Sequence, residues 1–428
     1  MRRHLLLAAA SAAALLLVVS AAAAPGDLDR SFAGKGWVRT LELRGASVPY
    51  GGAEDVALQP DGKILAVGED SGRSSSAIGA FRYTPGGGLD RSFGRGGFAA
   101  TNLGSFSHAH AVAVQRDGRI VLAGEAPCSY TACFALVRLL PNGTLDSRFG
   151  TGGVVRTGPR WCGCHFRAVE VLPDGRIVAA GRMYNRWGQT FAVARYLSDG
   201  RPDGTFSGDG IASVDVGGSY EGGEALAVQR DGKVLVAGGG GAGGQLFTVL
   251  RFRRDGRLDR TFSRDGRVTV SFGRDRWDTA HAIALRRDGR ILLAGESRAG
   301  QVGPAKIGLA RLTKRGALDR SFGRRGRVLT TAAPAGGYAK ALLIQPDGRL
   351  LAAGLADASR DGTESDWVLA RFQARGALDR SFGRGGIVVT SFGTGDDWAG
   401  ALARQADGKI VVGGEIYRDQ AVARYLAR

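Results

Sequence analysis

Residues Leu28-Asp29-Arg30-Ser31-Phe32-Ala33 open a motif that returns, with glycine or serine in the last place and small changes inside, around Asp90, Asp146, Asp203, Asp259, Asp319 and Asp379. Seven copies at intervals of 56 to 61 residues are too regular for a chain of 428 residues built from two or three unrelated domains. The chain reads as a single repeat body.

Between copies lie short apolar segments, each too brief for a helix. In the second repeat they are Ala111 to Gln115, then Ile120 to Gly124 after the Asp117-Gly118 turn, then Phe134 to Arg138, and finally Gly153 to Thr157 beyond the Leu-Asp motif. An Asp-Gly pair between apolar runs is a strong hairpin signal. Four strands per repeat, here lettered a to d, make one propeller blade. The expected fold is therefore all-β: a seven-bladed propeller of four-stranded antiparallel blades, with blades near 54–101, 110–157, 167–214, 224–270, 281–330, 340–390 and 400–425. Strand d of the last blade is missing from the C-terminus. Gly36-Trp37-Val38-Arg39-Thr40 supplies it from the other end, so the N-terminal strand closes the ring and hides a sheet edge.

The spacings are uniform where the residues are. The strand-c arginine (Arg82, Arg138, Arg195, Arg251, Arg311, Arg371) precedes the motif aspartate by eight residues in six copies. The aspartate is followed by phenylalanine at three and glycine at seven in all seven. From the aspartate of each Asp-Gly turn to the glycine closing strand b is also seven. Length changes fall only in the b-to-c loops and d-to-a linkers, which share one face. One rim is uniform and the other varies, and functional residues concentrate on variable loops. The aspartate is expected to cap its own turn and pair with the strand-c arginine, with Arg424 and Asp29 forming that pair across the ring closure, and the phenylalanine is expected to plug the blade.

Gly376 to Gly383, Asp407 to Ile410 and Ala423 to Tyr425 resemble the units of the delta-60 repeat family of bacterial exported proteins. The resemblance covers nearly all of the chain after its first residues and implies a propeller with no established biochemical activity. The fourth copy, Pro202-Asp203-Gly204-Thr205-Phe206, departs from the pattern and leaves its turn geometry open.

Arg2, Arg3 and His4, an apolar run from Leu5 to Val19, and small residues up to Ala24 read as a secretory signal, residues 1–23, with 24–428 as the propeller. A secreted or periplasmic monomer without a membrane-spanning segment is expected. The formal charge of +18 could attract polyanions, but 51 of 58 basic residues are arginine beside abundant glycine and alanine, the composition a GC-rich genome produces. No dense basic run or specific nucleic-acid motif stands out. Cys128, Cys133, Cys162 and Cys164 fall in two neighbouring loops of the variable rim. In an exported chain they suggest two disulfides, and bridges joining the two loops are the preferred pairing because a Cys162–Cys164 bridge would be strained. Ligation of a metal by these cysteines with His165 is the alternative use.

Seven residues before each Asp-Gly aspartate, at the start of strand a, stand Glu54, His110, Arg167, Glu224, His281, Lys340 and Gly400. An aromatic precedes each: Tyr50, Phe106, Trp161, Tyr220, Trp277, Tyr338 and Trp398. In a propeller these surround the channel mouth on the variable rim, where mixed polar groups amid aromatics suit a ligand surface. The alternative is that the aromatics wedge between blades. No nucleophile elbow, phosphate loop or paired-histidine zinc motif is present, and no cofactor or metal is expected. The leading functional expectation is a non-enzymatic propeller that binds an extracellular polymer or protein through its variable rim. The other is a propeller enzyme, such as a lyase, lactonase-like hydrolase or quinone-dependent dehydrogenase, using His110, His281, Glu54 and Glu224. The first predicts tolerance of a double change at His110 and His281; the second predicts lost turnover.

Overall fold

The computed structural model describes residues 23–41, 51–72, 75–104, 107–128, 131–159, 163–185, 188–218, 221–241, 245–359 and 364–427. Residues 1–22, which hold nearly all of the expected secretory signal, and Tyr50, Phe106, Trp161, Cys162 and Tyr220 lie outside them.

Each hairpin begins with local chemistry. In blade two Gly118 takes φ +82°, Asp117 accepts the Arg119 N–H at 3.0 Å, and Gln115 and Arg119 close the turn at 2.8 Å. The chain then pairs Ile120 with Leu139 and Val114, and the outer strand pairs Phe134 with Thr157. Six blades are four consecutive antiparallel strands. The seventh has the order Trp398–Arg404, Ile410–Ile416, Asp419–Tyr425 and then Trp37–Arg39, with Trp37 opposite Ala423 and Val38 opposite Val422. The N-terminal strand therefore completes the last blade. Among the described residues no helix is long and apolar enough to cross a membrane.

Seven apolar clusters alternate with the seven blades, and each spans a seam rather than the interior of one sheet. Leu65 and Val67 of blade one pack with Val112 and Leu122 of blade two; Phe32 and Val38 pack with Val56 and Phe81 across the closure. A lone four-stranded sheet has two apolar faces and no cover, so closing the ring is what buries them. The motif phenylalanine belongs to these seams. Phe93 lies where a side chain on Gly143 of the next blade would collide at 2.8 Å, so it plugs the joint between blades and not only its own blade.

The strand-c arginine fastens each joint. Its Nε sits 2.7–2.9 Å from the motif aspartate in all seven blades, including Arg424 with Asp29 at 2.7 Å. Its guanidinium lies over the motif phenylalanine, 4.4 Å away for Arg82 on Phe93. Its remaining nitrogen donates to a carbonyl of the next blade's turn: Arg311 to Ala374 at 2.7 Å, Arg371 to Ala427 at 2.6 Å, Arg424 to Pro85 at 2.6 Å. A second cation, from the residue after the Asp-Gly turn, reaches the same aspartate; Lys63 is 3.2 Å from Asp90 and Lys409 is 2.9 Å from Asp29. Burial opposes ionisation of Asp90, but the Ser92 hydroxyl and N–H, Lys63 and the Arg82 charge outweigh it and hold the carboxyl at about 2. Blade three keeps this geometry despite its altered motif, with Arg195 Nε 2.7 Å from Asp203 and Thr205 in place of serine as hydroxyl donor.

Candidate functional site

Strand a is the innermost strand, and in every blade its register slips once. The slips lie between Ala53 and Asp55, Ala109 and Ala111, Phe166 and Ala168, Gly223 and Ala225, Ala280 and Ala282, Ala339 and Ala341, and Ala399 and Ala401. The extra residue in each is Glu54, His110, Arg167, Glu224, His281, Lys340 or Gly400. These residues lie within strand a as bulges rather than at its start. A bulge leaves one residue unpaired and re-aims its side chain.

The glycine that closes strand b explains the bulge. A Cβ on Gly124 would stand 1.8 Å from the His108 carbonyl oxygen, on Gly295 2.0 Å from that of Thr279, and on Gly354 1.9 Å from that of Tyr338. The carbonyl two residues before the bulge occupies the space a side chain would take, so only glycine fits. The two seven-residue spacings, one forward and one back from the same Asp-Gly turn, thus describe one piece of backbone geometry.

The seven bulge residues line one cavity of about 460 Å³ on the axis, floored by the small residues that follow them, such as Ala111, Ala225 and Ala401. Blade one breaks that floor with Asp55. Its carboxylate accepts from the Val56 N–H at 2.8 Å and from the Val112 N–H of blade two at 2.9 Å. Burial pushes its pKa up to about 7, the two N–H bonds opposing that rise. Glu170, deeper in blade three, bonds the Val228 N–H at 3.2 Å and is raised to about 7 for the same reason.

The wall is a ring of compensated charge. The Nδ1 of His110 meets the Arg167 guanidinium at 3.1 Å, and its Nε2 lies 3.5 Å from Glu125. Glu125 also contacts His165; burial opposes its ionisation, yet the two imidazoles hold it well below the usual carboxylate range. Arg182 bonds Glu224, and His281 Nε2 lies 4.0 Å from Glu296. Burial, followed by the Arg167 charge, disfavours a proton on His110, although Glu125 favours one. Neither His110 Nε2 nor His281 Nε2 has a well-aligned hydrogen-bond partner. Lys340 Nζ lies 3.6 Å above the Trp398 ring, and Gly400 leaves room for that indole, which a side chain there would meet at 2.5 Å.

Sequence reasoning missed the second tier. Glu125, Arg182, Glu296 and Glu415 each follow the strand-b glycine and face the bulge residues or their neighbours. Their signal was present: the position after an unvarying glycine varies as the bulge position does. The aromatic ring was expected to surround the mouth. Of its described members, Trp277, Tyr338 and Trp398 do not line the cavity; Trp398 backs Lys340, and Tyr338 stands 5.6 Å from His281. Tyr338 and Trp398 instead sit against a bulge residue of the preceding blade, His281 and Lys340, in the wedging arrangement given above as the alternative. The disulfides also differ from the expected pairing. Cys128 bonds Cys133 within one loop, their Cα atoms 5.7 Å apart, because the b–c hairpin continues through Ala126 opposite Cys133 and folds Cys128 back. Cys164 is also disulfide-bonded. Among the described residues no three histidine, cysteine, aspartate or glutamate side chains are arranged to hold a metal ion.

A family profile described as a domain of unknown function (DUF5122) beta-propeller matches residues 59–93, 115–149, 172–206, 229–262, 286–322, 345–382 and 405–428. No curated protein matches the sequence. Similar solved structures include Chaetomium thermophilum Sqt1 bound to the N-terminus of ribosomal protein L10, at 13% identity over 88% of this chain and 97% of that one, TM-score 0.48. A polysaccharide lyase of the PL25 ulvan lyase family matches at 9% identity over 88% and 94%, TM-score 0.50. A gluconolactonase from Xanthomonas campestris matches at 14% over 72% and 90%, TM-score 0.35. These likenesses concern the propeller fold alone.

Proposed function

The chain belongs to the DUF5122 beta-propeller family, and from that premise we propose that it is an exported, non-catalytic propeller that binds a polymer or protein ligand through its variable rim, seating an uncharged, hydroxyl-rich group in the axial cavity. The observation that carries this reading is the convergence of seven bulge residues, one per blade, on a single cavity. Around the ring the bulge residues run acid, imidazole, cation, acid, imidazole, cation and glycine, and Arg167, Arg182 and Lys340 nearly balance Glu54, Glu224 and Asp55. A wall whose acids and cations nearly balance, with Arg182 on Glu224 and the two imidazoles beside Glu125 and Glu296, favours a neutral polar ligand over an ion. The finer placement in the delta-60 repeat group rests on the residues quoted above for that resemblance.

An array of neutral oligosaccharides tests the proposal. The wild-type chain should retain at least one class, an Arg167→Ala, Lys340→Ala protein should bind it at least tenfold more weakly, and a His110→Gln, His281→Gln protein should still bind. No retention by the wild type, or equal binding by the arginine–lysine variant, overturns it.

One observation favours the enzymatic alternative: His110 with Glu125 and His281 with Glu296 are two imidazole–carboxylate pairs at one cavity, the arrangement general acid–base chemistry uses. Turnover of a bound glycan or lactone that the histidine double change abolishes would replace the binding reading with that one.

A further inference from the structure

The surplus of arginine has a compositional explanation only if it is spread evenly, and on the uniform rim it is not. That rim consists of the five-residue a–b turns and the fourteen-residue c–d turns. In blades one to three these turns hold eight basic and eight acidic residues; in blades four to six they hold nineteen basic and eight acidic, a net +11. The acid count is the same because the aspartates are structural. The added charge is arginine and lysine on one half of one face, which genome composition does not produce.

The structure gathers this charge into three adjoining hollows. One of about 540 Å³ is lined by Arg230, Lys233, Arg286, Arg287, Lys314 and Arg315. The next, about 510 Å³, shares Arg286 and adds Arg290, Arg311 and Arg375, with Asp288 as its one acid. The third, about 880 Å³, shares Arg375 and adds Arg324, Arg325 and Arg327. Arg286 replaces the glutamine that five other blades carry at this turn (Gln59, Gln115, Gln229, Gln345, Gln405), and its Nη1 is buried with no hydrogen-bond partner. Arg325 takes φ +54° where blades one, two and six have Gly96, Gly152 and Gly385. An arginine held in the left-handed region costs about 1 kcal/mol relative to glycine. Two arginines are thus kept where local geometry favours another residue.

We propose that this half-rim, distinct from the axial cavity, is a docking surface for an acidic polysaccharide, a linear glycan carrying sulfate or carboxylate groups. Guanidinium forks pair bidentately with such anions, and a row of separate hollows suits charges spaced along a flexible chain. Single-stranded nucleic acid is disfavoured because binding it relies on exposed aromatic stacking platforms. The aromatics of these turns, Phe262, Phe322 and Phe382, are buried in the blade seams, and among the described residues the one aromatic lining the hollows, Phe272, is half-buried with its ring edge-on to Phe247.

The test uses the whole chain and four immobilised probes: dextran sulfate, double-stranded DNA and phosphatidylglycerol vesicles at equal charge density, and uncharged dextran. Dextran sulfate should be bound best and its affinity should fall steeply with salt, whereas any retention on uncharged dextran should not depend on salt. An Arg286→Gln, Arg315→Asp, Arg375→Asp variant installs residues that equivalent turns already carry, in Gln59, Asp199 and Asp255, so its fold should be kept. It should lose at least tenfold in affinity for dextran sulfate. A comparison variant, Arg91→Ala, Arg95→Gly, Arg148→Ala, removes three charges from blades one and two and should lose less than twofold. Should the first variant melt early, Arg324→Thr with Arg325→Gly copies Thr151 and Gly152 and provides the same reading. Equal losses in the two halves, no retention on dextran sulfate, or tighter binding to DNA or vesicles would each overturn the proposal.

Discussion

The motif aspartates on one rim and the bulge residues at the other mouth each contribute one residue per blade at an unvarying register, yet they differ in every other respect. The aspartates are identical in all seven blades, accept from the same arginine, and tie each blade to the next. The bulge residues are two acids, two imidazoles, two cations and a glycine, and they meet across the axis instead of along the seam. Identity at a repeated position marks a contact that every blade must make with its neighbour. Variety at a repeated position, on backbone that is itself uniform, marks side chains released from that duty. The bulge permits this, because an unpaired residue is re-aimed without disturbing the ladder on either side.

The largest effect should come from removing the closure itself. Deletion of residues 24–41 takes away both the final strand and Asp29, stranding Arg424, and should give a protease-sensitive or aggregating chain in calorimetry and limited digestion. A cooperative melt unchanged by the deletion would mean the blades do not depend on ring closure. Next in size is a single fastener. Arg371→Ala leaves Asp379 with Arg349 as its cation beside the Ser381 donors and should cost about 3–5 kcal/mol in denaturant unfolding, whereas changing Arg371 and Asp379 together to apolar residues should cost less. Gly295→Ala crosses from one region to the other. Its Cβ would meet the Thr279 carbonyl, so it should cost about 2–3 kcal/mol and also weaken any ligand bound near His281. A stability loss of that size with binding untouched would separate the bulge from the site.

The two regions should also respond to pH in opposite directions. Asp90, Asp259, Asp319 and Asp379 are held at about 2, so the stability they contribute is present above their unfolded value near 3.8 and is lost as pH falls toward 2. Asp55 and Glu170, raised to about 7, act the other way: no penalty exists below the unfolded carboxyl values, and it grows as pH rises toward 7. Asp55→Asn should therefore stabilise the chain at pH 8 by on the order of 1–3 kcal/mol and leave it unchanged near pH 3. A gain that persists in acid would show that packing, not the charge, is responsible. The smallest expected change is Arg325→Gly, which relieves a left-handed arginine and should add up to about 1 kcal/mol at any pH.

Much of the fold was legible because a repeat multiplies weak signals. A single Asp-Gly turn or a single Leu-Asp-x-Ser-Phe is slight evidence, but the same offsets seven times over leave little freedom in strand number or order. The missing last strand and its N-terminal replacement were readable for the same reason. The membership of the cavity ring followed from counting back from each turn. Its second tier did not, since Glu125 and Glu296 become neighbours of His110 and His281 only through cross-strand register. That Trp277, Tyr338 and Trp398 stand behind the cavity wall was not legible either, because proximity in sequence says nothing of which way a side chain turns. The cysteine pairing depended on how far one hairpin continues.

What the sequence determined by itself is therefore the periodic part of the molecule: the number of blades, the strand order, the ring closure and the positions that repeat or vary. These follow from local turn chemistry and spacing, which act within a few residues. The tertiary structure alone decided what those positions face: that the strand-b glycine forces a bulge, that seven bulges empty into one cavity, that Glu125, Arg182 and Glu296 stand beside three of them, and that the basic turns of three blades adjoin. The bulge is fixed within one hairpin, by residues about 16 apart such as His108 and Gly124, whereas the cavity and the basic half-rim join residues of different blades, and only the closed ring brings those into contact.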